Sequence, residues 1–311
     1  MNMHTAFGIV TAMAAIACVG TSSAVDQGAA DRAFLPLVAP KSPARTELAI
    51  LPRKNMVFVQ ASLDGRACTL LFDTGATHTT FDVGFLKREL PEVKLGDVML
   101  AGETNVEGVP KIFRVKSLKM GEAEFRGFHA MALDIAHLGT GIGTNVDGVV
   151  GMNVIGRVPA LVSLGSRKVV FAPSPDDVAG FGEGIARIAS DPFSIAMAAS
   201  FGEKKFGIIV DSAATFTFLG KSTGWPSTGE PAGIGALDVN GRSSLSAEKG
   251  RRGSLRLGSD VEISPLLVAA PMNRIGSDTL LAYDMLVDSA KVRFRRCRKA
   301  ADAPLAHSRQ N

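Results

Sequence analysis

Two aspartates in this chain sit in surroundings that repeat. Leu70-Leu71-Phe72-Asp73-Thr74-Gly75-Ala76-Thr77 is an apolar run ending in a carboxylate, and Ile208-Ile209-Val210-Asp211-Ser212-Ala213-Ala214-Thr215 restates it 138 residues later. The match runs without a gap from Leu63 and Phe201 to Phe81 and Leu219, setting Thr74 against Ser212, Ala76 against Ala214 and Thr79 against Thr217. An isolated Asp at a strand end is in most cases a turn residue. A carboxylate where a buried strand stops must be hydrogen-bonded, paired or neutralised. Two of them at matching positions invite a meeting across a pseudo-twofold axis. Carboxyls held close together cannot both ionise readily, so the pair keeps one proton and titrates as a unit. A water between them can give a proton to the ionised member and attack a carbonyl, while the protonated member donates to the developing oxyanion.

The elements that must position these residues read as strands. Met56 to Leu63 reads as a strand, Asp64-Gly65 as a hairpin turn, and Ala67 to Phe72 as the returning strand that delivers Asp73. Asp82 to Leu90 has helical spacing and stops at Pro91. Ser117 to Gly121 followed by Phe125 to Leu133 suggests another hairpin, and Ser254 to Gly258 repeats its start at an offset of 137. Asp147-Gly148-Val149-Val150-Gly151-Met152 is set against Asp278-Thr279-Leu280-Leu281-Ala282-Tyr283, and Lys168 to Phe171 against Lys291 to Phe294. Blocks recurring in one order point to duplication of a structural unit. Ile185 to Ala199 reads as partly helical, and Gly139 to Gly143 as a flexible loop.

Asp73-Thr74-Gly75-Ala76 resembles the active-site loop of aspartic proteases in the form typical of retropepsin-like enzymes. The resemblance extends from about Leu48 to Arg298. It implies a mainly β, two-lobed fold built from two tandem retropepsin-like β-barrel units with few short helices. By this resemblance Asp73 and Asp211 are catalytic, and Thr74, Gly75, Ala76, Ser212, Ala213 and Ala214 form the supporting loops. The Thr74 and Ser212 hydroxyls bond across the loops and fix their separation. Val149, Val150 and Gly151 form a strand that locks the first loop, and Leu280, Leu281 and Ala282 are expected to do so for the second. A mobile hairpin over the substrate is placed near Gly102 to Gly108. The chain departs from the family at Ala213 and Ala282, where the family has Gly; a methyl there crowds closely approaching backbones.

The expected division is a signal peptide over residues 1–24, a Pro/Ala-rich lead-in over 25–45, a first lobe over 46–173, a linker over 174–190, a second lobe over 191–299 and a disordered tail over 300–311. The leader has an apolar stretch from Ala6 to Gly20 and small residues at Thr21 to Ala24, so an exported, periplasmic or secreted protein without stable membrane insertion is expected. Cys68 and Cys297 remain after its removal, as a disulfide or as two buried thiols. The net charge of +4 comes without a basic stripe interleaved with aromatics, so no nucleic-acid partner is expected. Arg293, Arg295, Arg296, Arg298 and Lys299 read as a solvated strand edge. The five His residues lack metal spacing, and neither a phosphate loop nor a serine-nucleophile motif is present, so no metal or cofactor is expected. The reading is an exported aspartic endopeptidase, monomeric as an intramolecular pseudo-dimer, acting on a peptide or protein substrate. A catalytically impaired peptide-binding relative is the alternative, since both departures fall in the second half.

Overall fold

The computed structural model describes residues 35, 37–38, 45–53, 55–97, 111–178, 180–181, 185–186, 195–232, 234–238, 241–245, 247–250, 254–257, 261–263, 267–269, 273–289 and 291–297. The leader, the proposed hairpin tip at Gly102 to Gly108 and the tail lie outside them.

The first half closes into a six-stranded barrel. Met56–Leu63 and Arg66–Phe72 form a hairpin through Asp64 and Gly65, both at positive φ (47° and 88°), the geometry that suits right-twisted strands. Arg66–Phe72 carries Gly148–Val150 in parallel, which in turn pairs with Thr80–Asp82. Thr80–Asp82 pairs with Ala123–Leu133, this strand with Lys111–Met120, and Lys111–Met120 with Met56–Leu63, which completes the ring. Asp82 caps the helix Val83–Glu89 by accepting from the Phe85 amide at 2.8 Å.

The second half follows the same course without closing among the described residues. Ala196–Phe201 and Lys204–Val210 form its hairpin, and Arg274–Ile275 runs parallel to the second strand. Phe218–Leu219 pairs with Arg274 on one side and with Leu267–Ala269 on the other. Leu255–Leu257 sits on Ala196–Phe201 through Arg256 and Ser200, as Lys119 sits on Ser62 in the first half. A separate hairpin, Ile234–Asp238 with Gly241–Leu245, lies near the helix Ala136–Ile142 of the first half.

A six-stranded sheet joins the halves in the order Ile185–Ala186, Lys291–Arg296, Tyr283–Val287, Ala160–Ser163, Lys168–Phe171, Thr46–Ala49. Its central pair, Ala160–Ser163 with Tyr283–Val287, takes one strand from each half. Asp284 is buried there: its carboxylate accepts from Ser163 Oγ at 2.6 Å, from Arg295 Nη2 at 2.6 Å and from Cys297 Sγ at 3.2 Å. Phe171 stands behind the sheet with its ring 6.2 Å from Phe72 and 5.8 Å from Phe125, linking the sheet to the barrel interior.

Several local expectations change. Ile185 to Ala199 contains strands at Ile185–Ala186 and Ala196–Phe201 and no helix among its described residues, because both segments find sheet partners. Ala136–Ile142 is a helix, with Gly143 at φ 76° as its left-handed C-cap, where a flexible loop was expected. The basic edge is internally paired rather than simply solvated: Arg293 bonds Asp288, Arg295 bonds Asp284, and Arg295 lies 4.5 Å from the Phe181 ring centre. Cys68 and Cys297 are both free and buried. Burial, assisted in Cys297 by the neighbouring Asp284, pushes both thiols up to about 12, so they are inert near neutral pH.

Phe171→Ala should cost about 3–5 kcal/mol in a urea unfolding experiment, since it empties a position between the barrel and the joining sheet.

Candidate active site

The two Asp loops form because each strand ends where a second strand crosses behind it. Asp73 N–H donates to the Val150 carbonyl at 3.0 Å, and Asp211 N–H donates to the Ile275 carbonyl at 2.9 Å. Asp73 Oδ1 then accepts from the amides of Gly75 (2.7 Å) and Ala76 (3.2 Å). Asp211 Oδ1 accepts from Ala213 (3.0 Å) and Ala214 (2.8 Å) in the same way. Each carboxyl therefore folds its own loop back upon itself, leaving one oxygen for other partners.

The loops are fastened to each other by four hydrogen bonds. Thr74 Oγ1 donates to the Val210 carbonyl at 2.8 Å and accepts from the Ser212 amide at 3.1 Å. Ser212 Oγ donates to the Phe72 carbonyl at 2.7 Å and accepts from the Thr74 amide at 3.1 Å. Both hydroxyls are buried, so each bond also satisfies a backbone group that would otherwise be orphaned.

Gly75 lies against the opposite carboxylate: a Cβ there would come within 2.5 Å of Asp211 Cγ. Neither Gly75 nor Ala213 has a positive φ, so close approach, and not backbone conformation, requires the glycine. The Ala213 methyl is accommodated, wholly buried in an apolar cluster with Met56, Phe58, Leu71, Ala76 and Val149.

Behind each loop a threonine and a short polar side chain brace the turn. Thr79 Oγ1 donates to Asn153 Oδ1 at 2.9 Å and accepts from the Gly151 amide at 3.1 Å. Thr217 Oγ1 donates to Asp278 Oδ1 at 2.6 Å and accepts from the Gly276 amide at 2.9 Å. The equivalence of Thr79 and Thr217 was visible in the sequence; Asn153 and Asp278 were not singled out.

These contacts correct the assignment of the second locking strand. Val149, Val150 and Gly151 cross behind the first loop, but Leu280, Leu281 and Ala282 do not cross behind the second. Arg274, Ile275 and Gly276 do. Leu280 ends a short helix, Ser277–Leu280, and Leu281 and Ala282 lead from it into the joining sheet. The apolar pair followed by a small residue at 280–282 imitated the motif, while an arginine at the true apolar position hid it. Gly276 is thus the glycine that Ala282 seemed to have replaced. A Cβ on Gly276 would strike the Phe216 carbonyl, and one on Gly151 would come within 2.7 Å of the His78 backbone.

The charge arrangement is unequal. Asp73 and Asp211 are both fully buried. Arg274, also buried, forms an ion pair through Nη1 with Asp211 Oδ2. Asp73 Oδ2 is buried without a hydrogen-bond donor. Burial first, and then the charge and hydrogen-bonding demand of Asp211, hold the Asp73 carboxyl well above the ordinary carboxylate range; the Gly75 amide and the Arg274 charge pull the other way. Among the described residues, no group of His, Cys, Asp and Glu is arranged to hold a metal ion, and no helix is long and apolar enough to cross a membrane.

Residues 59–154 match a family model described as aspartyl protease. The matched segment spans the Asp73 loop and the strand that locks it, and most of the first barrel. No curated protein matches the chain.

Gly276→Ala should destabilise the protein by about 3 kcal/mol or more in denaturant titrations, while Ala282→Gly should stay within about 1 kcal/mol. A reversal would restore the 280–282 assignment. Asp73 also binds its proton more tightly in the folded than in the unfolded chain. The stability this provides is complete below about pH 4 and is lost as pH rises towards the folded value. Relative to Asp73→Asn, the wild-type chain should lose stability above that pH, with a slope approaching about 1.4 kcal/mol per pH unit in thermal or urea unfolding.

Proposed function

We propose that the protein is an aspartic endopeptidase that hydrolyses peptide bonds with a water activated between Asp73 and Asp211. The observation that carries this reading is the four-bond fastening of the two Asp loops, combined with a buried carboxyl at Asp73 whose proton is held above the ordinary range. A pair so fixed places one acid and one base on the same small volume, where positioning and proton transfer act together. The aspartyl protease match over the first half supports a peptide substrate.

In this mechanism the water gives a proton to the ionised carboxylate as its oxygen bonds to the carbonyl carbon. The protonated carboxyl donates to the carbonyl oxygen, forming a neutral gem-diol. The carboxyl that took the water's proton passes it to the nitrogen, the other carboxylate takes a hydroxyl proton from the gem-diol as the C=O re-forms and the C–N bond breaks, and an acid and an amine leave with the pair again holding one proton. Thr74 and Ser212 touch no substrate and hold the loops in register.

Ala282 no longer counts against the second half, because Gly276 occupies the position where a methyl would collide with backbone. That favours a working second loop over an impaired peptide-binding relative. An extended peptide would lie between the halves, bonded along exposed strand edges. Access requires the cover over the fully buried carboxyls to move; the hairpin Ile234–Asp238 with Gly241–Leu245, reaching towards the helix of the other half, is suited to that part. The leader-like residues 1–24 support export, and the joining sheet supports action as one chain without a partner copy.

Incubation with a mixed peptide library between about pH 3 and 7 should give cleavage that a statine-type inhibitor blocks. Asp73→Asn and Asp211→Asn should each lower the rate on the order of 1,000-fold or more. Cleavage that survives both substitutions would reject the reading.

A further inference from the structure

Arg274 stands at the register position of Val149. Val149 faces Leu71 in the parallel pair of the first half, and Arg274 faces Ile209 in that of the second. One position holds a valine in an apolar cluster; the other holds a fully buried guanidinium paired with Asp211. We propose that Arg274 is a positioning residue that makes the carboxyl pair unequal, keeping Asp211 as the ionised member and leaving the proton on Asp73.

Satisfaction of the oxygens supports this assignment. Asp73 Oδ1 receives the two loop amides, and Oδ2 receives no donor. Because no protein group donates to Oδ2, an ionised Asp73 would lack a protein donor on that oxygen, whereas the Asp211 charge has Arg274 beside it. A protonated Asp73 instead places its hydrogen on Oδ2 and donates to Asp211. A carboxylate oxygen has two lone pairs, so Asp211 Oδ2 can take that hydrogen while bonded to Arg274. The charge sum agrees: one cation, one carboxylate and one neutral acid give a buried group of zero net charge, whereas two carboxylates would leave an unpaired negative charge.

Among the described residues, the elements packed around this point turn their charged groups elsewhere. The strand beside Arg274 carries Lys204 and Lys205 at its exposed far end, and Phe218–Leu219 on the other side contributes no charged group. Asp278 is turned to Thr217 and Thr279, Lys221 to the surface Glu248, and His78 to Thr77. Asp211 and Arg274 are the charges that act on Asp73.

For the reaction, Asp211 then takes the proton from water and Asp73 gives its own to the carbonyl oxygen, without an initial choice between the two. Arg274 favours the ionised forms, so its removal should move both limbs of the pH–rate profile to higher pH. This step rests on the hydrolase reading; the proton assignment itself does not.

The test has two arms. In the first, side-chain carboxyl 13C shifts are followed against pH in the intact wild-type chain, with Asp73→Asn and Asp211→Asn used for assignment. The expected result is a single titration above the ordinary carboxylate range, and it belongs to Asp73. Equal titration of the two carboxyls, which the wild-type chain alone reveals, or a proton assigned to Asp211 overturns the proposal. In the second arm, cleavage of the mixed peptide library is profiled for Arg274→Leu and Arg274→Lys. The leucine variant should shift both limbs upward by on the order of one pH unit, and lysine should hold them near wild type. Superimposable leucine and wild-type profiles count against the proposal. Wild-type protein that cleaves nothing while the carboxyls titrate as expected rejects the hydrolase reading and leaves the inference standing.

Discussion

Two short hydroxyl side chains set the distance on which the rest of the molecule depends. Thr74 and Ser212 each donate to a carbonyl that precedes the opposite aspartate and accept from an amide that follows it. A backbone carbonyl at the end of a buried strand has no water to turn to, so each bond is held in place by the cost of losing it. The two Asp loops therefore cannot drift apart without exposing four polar groups to an apolar interior. The Gly75 backbone then fits against the Asp211 carboxylate with no room for a methyl. A carboxyl pair confined this way has its electrostatics set by geometry rather than by solvent.

Around that fastening, the halves use the same contacts with different residues. Gly151 and Gly276 both pass beneath their loops, and both donate to a threonine hydroxyl. Asn153 braces one threonine and Asp278 the other. Asp278 is half-buried by surface area, and desolvation of its carboxyl holds it above the usual range, against the hydrogen bonds it accepts. The largest difference is a valine against an arginine at positions 149 and 274. A cation there alters one aspartate and leaves the loop backbone unchanged, so asymmetry enters through charge while the shape is preserved.

Much of this was legible in the residues. The gapless match around Asp73 and Asp211 located both loops, and the hairpin that delivers Asp73 follows from Asp64-Gly65 and the apolar runs on either side of it. Thr74 and Ser212 were legible as a pair because both are small hydroxyl residues at one position. The second locking strand was not, because pattern matching rewards apolar residues and Arg274 is charged. Its burial depends on Asp211, a partner 63 residues away in sequence, and no local signal reports such a pairing. The helix Ala136–Ile142 was missed for a different reason: Gly139, Gly141 and the capping Gly143 read as loop, while Leu138 and Ile142 are buried against the barrel's apolar cluster. Tertiary burial outweighed weak intrinsic preference there.

The sheet that joins the halves also has a temporal consequence. Its inner strand Ala160–Ser163 is flanked on one side by Tyr283–Val287, and the outermost strands come from Thr46–Ala49 and from the segment between the halves. A growing chain exposes that inner edge until almost all of it has been synthesised. Contacts between such distant segments form late, since closing long loops costs entropy before any bond returns it. The two acidic loops thus meet only once the second half has been made, so a truncated or half-made product lacks the assembled carboxyl pair.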